Sequence, residues 1–155
     1  MTQPTETVPV ERVADAAARR LTYRFRYRGP AEEVWAAFTD PARISRWFEP
    51  VAADPEQEDT YTITFEHEGE VHHKTFTVAV CTAPSRLAGT LHDPGFPDSS
   101  IEVSVDAAAA AATFTHSGVP EALFEAYAAG WAFYLGRLAA SVAPHRRGRG
   151  VADPC

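Results

Sequence analysis

Histidine is the residue type in this 155-residue chain best suited to proton transfer or metal ligation near neutral pH. His67, His72, His73, His92 and His116 fall in segments that read as strands, and His145 lies near the C-terminus. Adjacent His72 and His73 project to opposite faces of a strand, so they cannot hold one metal together. His67 and His72 can meet across a hairpin, but no third ligand accompanies them and zinc takes three or four. No metal or other cofactor is expected. His116 shares a strand face with Phe114 and precedes Ser117-Gly118. There it can hydrogen-bond a ligand or act as a general acid/base. The simpler expectation is that it fixes the following turn through a backbone hydrogen bond.

Covalent chemistry has little support. The chain carries no Gly-x-Ser-x-Gly elbow, no phosphate-binding loop and no GxGxxG fingerprint. Cys81 follows the apolar run Val78-Ala79-Val80 and reads as a core-like thiol, while Cys155 ends a polar tail. Two such cysteines make no disulfide framework. Glu66, Glu68 and Glu70 alternate, which is the pattern of a solvated strand edge. An enzymatic role would rest on a cavity alone.

Charge and composition narrow the partners. A net charge of -7 argues against nucleic acid or an anionic membrane. Lys74 is the only lysine and asparagine is absent, a skew that fits a high-GC bacterial coding bias. The N-terminus has neither the basic nor the apolar region of a signal peptide. No run of about 18 apolar residues occurs. The expectation is a cytoplasmic protein of one domain, monomeric or homodimeric, with residues 1–19 as a flexible arm and 144–155 as a disordered tail that includes Arg146, Arg147 and Arg149.

The elements between follow from periodicity. Leu21, Tyr23, Phe25 and Tyr27 alternate with Thr22 and three arginines, a half-buried strand. Pro30 and Pro41 each open a short helix, the second capped by Asp40 and carrying Ile44, Trp47 and Phe48. Val51 to Asp59 is an acidic connector. Strands are predicted around Tyr61–Phe65, Val71–Val80, Arg86–His92 and Ile101–Val105, and Ala107–Ala112 is read as a hairpin turn running into a sixth strand that ends at Phe114–His116. Leu123, Tyr127, Trp131, Leu135, Leu138 and Val142 then recur at steps of three or four. They predict a helix of about 23 residues, roughly 35 Å long, that begins near Pro120 and stops before Pro144.

This order resembles the START-like helix-grip (SRPBCC) fold. In that α+β fold a curved antiparallel sheet, here of six strands, wraps a long C-terminal helix, with two short helices between strands 1 and 2. Val34-Trp35-Ala36-Ala37-Phe38-Thr39-Asp40-Pro41 followed by Trp47-Phe48-Glu49-Pro50 resembles the opening signature of the branch named for the heat shock protein 90 ATPase activator. Thr115-His116-Ser117-Gly118, Gly130-Trp131 and Leu135 to Leu138 resemble its closing signature, and Pro84-Ser85-Arg86-Leu87 its entry to the middle strands. The resemblance covers residues 20–143. The acidic Pro55–Asp59 departs from it, standing where the family often has glycines.

The resemblance implies a cavity between sheet and helix. Its candidate ligand contacts are Trp47 and Phe48 on the second short helix, Tyr61, Phe65 and Phe76 on the sheet, His116, and Tyr127, Trp131 and Tyr134 on the long helix. Walls of this kind suit a hydrophobic or aromatic small molecule, in sequestration or self-resistance. The alternatives are a polyketide cyclase/aromatase-like or hydrolytic enzyme and a chaperone-linked stress-response interaction protein.

Overall fold

The computed structural model describes residues 10–142. The first nine residues of the expected arm and the arginine-bearing tail lie outside the described residues. Eight strands form one antiparallel sheet: β1 (Val10–Asp15), β2 (Arg20–Arg26), β3 (Val51–Ala53), β4 (Thr60–His67), β5 (Glu70–Thr82), β6 (Arg86–His92), β7 (Ser99–Asp106) and β8 (Ala111–Ser117). Their spatial order is β1-β2-β8-β7-β6-β5-β4-β3. Helices α1 (Ala31–Thr39) and α2 (Pro41–Trp47) lie between β2 and β3, and α3 (Phe124–Val142) closes the described chain.

The strand count is eight rather than six because both sheet edges carry short strands that periodicity does not reveal. Val10–Asp15, expected within the arm, pairs with β2 from Val10↔Phe25 to Asp15↔Arg20. Apart from half-buried Val10 its residues are exposed, so no burial alternation marks it. β3 spans three residues of the expected acidic connector. It is fastened by Ser45, whose hydroxyl donates to Pro41 O and accepts from the Val51 amide at 3.0 Å. Cys81 is disulfide-bonded, not the core-like thiol that its setting suggests.

β2 follows its alternation closely. Leu21, Tyr23 and Phe25 are buried, while Arg20, Arg24 and Arg26 face solvent. It lies beside β8 with Tyr23 opposite Phe114, and the buried Tyr23 hydroxyl donates to Ala128 O on α3 at 2.8 Å. One bond thereby ties the first predicted strand to the last helix. The alanine-rich β7–β8 turn is held by Asp106, whose Oδ1 accepts from the Ala109 amide, with Ala110 in the left-handed region at φ 51. Asp106 supplies the polar anchor that the six alanines lack.

The pairing of β5 with β6 is irregular. Their register shifts between Val78 and Val80, a bulge that bends the strand and increases its twist. Gly89 faces Val78 there. A Cβ at Gly89 would meet Thr77 O and come within 2.6 Å of Phe76 Cζ. The missing side chain lets the Phe76 ring lie flat across β6.

The long helix begins later than Pro120. Glu121–Leu123 form a 3₁₀ turn, with the Leu123 amide donating to Pro120 O at 2.9 Å, and the regular helix is 19 residues long. Gly118, at φ 72, makes the turn that delivers it.

Candidate functional site

α3 crosses the sheet's concave face, and its apolar stripe divides into two stretches. Leu135, Leu138 and Ala139 are fully buried in the core. Toward its N-terminal end the helix stands away from the sheet, and a cavity of about 750 Å³ opens between them. Because strand residues alternate in direction, β4 contributes Tyr61, Ile63 and Phe65, while β5 contributes Lys74 and Phe76. α2 and the residue after it supply Trp47 and Phe48; α3 supplies Tyr127, Gly130, Trp131 and Tyr134. The size suits a small molecule.

Eight of the nine residues expected to contact a ligand therefore line one cavity. They also touch one another. Phe48 stacks on Trp131 with ring centroids 5.3 Å apart and meets Phe65 and Tyr134 edge-on at 5.8 and 4.8 Å. Phe114, which also lines the cavity, packs against Trp131 at 4.5 Å. Aromatic pairs at these spacings form a rigid wall.

His116 is the exception. It is fully buried behind the wall, edge-on to Tyr127 at 4.9 Å, and is absent from the cavity lining. Its Nδ1 accepts the indole N–H of Trp131 at 3.0 Å, and its Nε2 lies 2.7 Å from Ser99 Oγ. An acceptor at Nδ1 requires the neutral tautomer with the proton on Nε2, which donates to Ser99. Burial, assisted by the positive charge of Lys74, lowers its pKa to about 4. Both ring nitrogens being occupied, the expected ligand contact and acid/base role do not fit His116. Its bonds run to two side chains, not to the turn backbone; it is a strut that orients Trp131.

The hydroxyls and indole of the wall are mostly tied as well. Tyr61 donates to Thr39 O and Trp47 to Ala37 O, each at 2.8 Å. Tyr134 donates to Glu49 Oε2. Burial, then the hydrogen bond to Glu49 and its charge, push the Tyr134 hydroxyl up to about 12, with Arg137 pulling the other way.

Near the mouth lies a polar group that sequence reasoning missed. Lys74 Nζ donates to the Tyr127 hydroxyl at 3.0 Å and pairs with Asp93 Oδ2 at 3.3 Å, while Tyr127 donates to the same Oδ2 at 3.1 Å. Burial first, then the charge and hydrogen bond of Asp93, push the Tyr127 hydroxyl far above its ordinary pKa. Both Lys74 and Asp93 line the cavity. Strand pairing explains the meeting: Thr75 faces His92, so the next pair outward is Lys74 and Asp93. The uniqueness of Lys74 was the one signal available in sequence.

His67 and His72 form part of the rim, with mostly exposed side chains near Glu68 and Glu70. Among the described residues no three His, Cys, Asp or Glu side chains converge where they could hold a metal ion. Nor is any described helix long and apolar enough to cross a membrane.

An antiparallel sheet gripping a C-terminal helix, with a cavity between them, defines a helix-grip protein. The family model described as Activator of Hsp90 ATPase homolog 1-like protein matches residues 28–143, and the chain belongs to that family. Among solved structures it is similar to CalU16 from Micromonospora echinospora, with 28% identity over 88% of this chain and 83% of that one, at a TM-score of 0.64. Protein CV1439 from Chromobacterium violaceum shares the fold at 22% identity, covering 81% of this chain and 99% of that one, with a TM-score of 0.71. DynU16, from the dynemicin biosynthetic locus, matches at 25% identity over 78% of this chain but 46% of its own, with a TM-score of 0.63. A search of curated proteins finds no match.

Proposed function

We propose that this protein binds a hydrophobic or aromatic small molecule in the cavity between the sheet and α3. The observation that carries the reading is the wall: an interlocked set of aromatic rings around about 750 Å³, with its hydroxyl and indole donors turned to protein acceptors. A surface of that kind excludes strongly hydrated solutes and accepts apolar area. The likeness to DynU16, from a biosynthetic locus, supports a natural-product ligand and a role in its sequestration or self-resistance. We place this role in a bacterial cytoplasm.

A cyclase-like or hydrolytic role carried by His116, Tyr127 or Tyr134 needs that side chain to present a free proton or lone pair to the ligand. His116 faces away, and the protons of Tyr127 and Tyr134 are directed at carboxylates. These geometries favour binding over turnover, and the family's chaperone-linked name finds no specific support in the cavity.

Native mass spectrometry against a panel of neutral polycyclic aromatics, fatty acids and sugars tests the reading. A one-to-one complex with aromatic members, and none with sugars, is expected. Failure of every apolar member to bind would overturn it.

A further inference from the structure

Among the polar side chains of the cavity wall, Lys74 is the one with a donor to spare. An ammonium has three N–H groups. Two are directed at Tyr127 and Asp93, and among the described residues no third acceptor meets Nζ. The nitrogen is held 4.3 Å above the Phe65 ring and 4.9 Å from the Tyr127 ring centroid, both cavity residues. A ligand lying against those rings comes within reach of the third N–H.

We infer that Lys74 recognises a neutral carbonyl oxygen, so that the ligand class is a flat aromatic ketone or quinone; this rests on the binding reading above. Three ligand types are separated by their effect on this position. An aromatic hydrocarbon strips water from the third N–H and returns nothing, leaving a buried donor unsatisfied. An aromatic carboxylate satisfies it but brings a second anion beside Asp93, turning a neutral Lys74–Asp93 pair into a site of net negative charge in an apolar cavity. A ketone oxygen accepts the N–H and adds no charge. Tyr127 and Tyr134 cannot substitute as donors, since their protons are already directed at Asp93 and Glu49. His67 and His72 stand on the exposed rim beside Glu68 and Glu70.

Matched probes make the test direct: fluorene, 9-fluorenone and fluorene-9-carboxylate share one ring framework. Titrated into the full chain, fluorenone is expected to bind about tenfold tighter than fluorene, as one hydrogen bond to a charged donor warrants, and tighter than the carboxylate. Lys74→Met should bring fluorenone down to fluorene's affinity while leaving fluorene unchanged or improved. Asp93→Asn, which keeps the lysine and removes the neighbouring anion, should make the carboxylate the preferred probe; a merely structural role for the pair would not reverse the order. Fluorene binding as tightly as fluorenone, or the carboxylate binding tightest to the unmodified protein, overturns this inference and leaves the binding reading standing. No binding by any probe overturns both.

Discussion

The indole N–H of Trp131 donates to Nδ1 of His116 at 3.0 Å, and the opposite nitrogen of the same ring lies 2.7 Å from Ser99 Oγ. This chain joins α3, β8 and β7 beneath the cavity wall and requires an uncharged imidazole. Protonation at Nδ1 would set two N–H groups against each other in a fully buried site. The folded-state pKa is lowered from 6.5 to about 4. Its contribution to stability is present in full above pH 6.5 and is lost as pH falls toward 4, because the unfolded chain takes up the proton first. The loss amounts to about 3 kcal/mol as an order of magnitude. Urea unfolding at pH 7 and pH 4, compared with His116→Gln, should show that extra acid sensitivity in the unmodified protein alone. Parallel pH profiles for the two proteins would contradict the neutral-strut assignment.

The same bond makes Trp131→Phe costly beyond the volume it removes. Nδ1 of His116 would keep its lone pair buried without a donor, a loss of about 1–3 kcal/mol. Chemical denaturation measures it. Adding His116→Phe to Trp131→Phe removes the unmet acceptor, so the double variant should lose less than the sum of the two single ones. Simple additivity would show that the bond contributes little.

Gly89 tests the bend in the sheet. Gly89→Ala places a methyl group against Thr77 O and within 2.6 Å of Phe76 Cζ. Overpacking of this kind costs about 1–3 kcal/mol, and a displaced Phe76 ring would also alter the cavity wall. A lowered melting temperature is expected, restored in part by Phe76→Leu, which shortens the obstructing side chain. An unchanged melting temperature would mean that the two strands can part without loss.

How far the sequence discloses this site depends on the range of each interaction. β2 and α3 are legible because Leu21, Tyr23 and Phe25, or Leu135 and Leu138, repeat at the period of one face, and that face is buried. The eight aromatic wall residues expected from sequence follow from the same logic, since large aromatics on inward faces must pack or surround a void. β1 escapes notice because an edge strand with exposed side chains needs no apolar pattern. Lys74 and Asp93 are 19 positions apart by their numbers, and their meeting depends on the register of β5 with β6. The strut role of His116 likewise depends on partners 17 and 15 residues away. Neither relationship leaves a local mark.

Gly130 offers the cleanest separation of binding from folding. It lies within α3, lines the cavity, and a Cβ built on it meets nothing within 4 Å. Replacing glycine inside a helix by leucine favours the helix by up to about 1 kcal/mol, while the new side chain enters the space assigned to the ligand. The decisive measurement is a 9-fluorenone titration followed by quenching of tryptophan fluorescence, since Trp47 and Trp131 both line the cavity. The expected result is saturable one-to-one binding by the unmodified protein and at least about tenfold weaker binding by Gly130→Leu, with a melting temperature equal to or above the original. Undiminished binding by the folded Gly130→Leu variant, or no saturable binding by the unmodified protein, would contradict a ligand site between the sheet and α3.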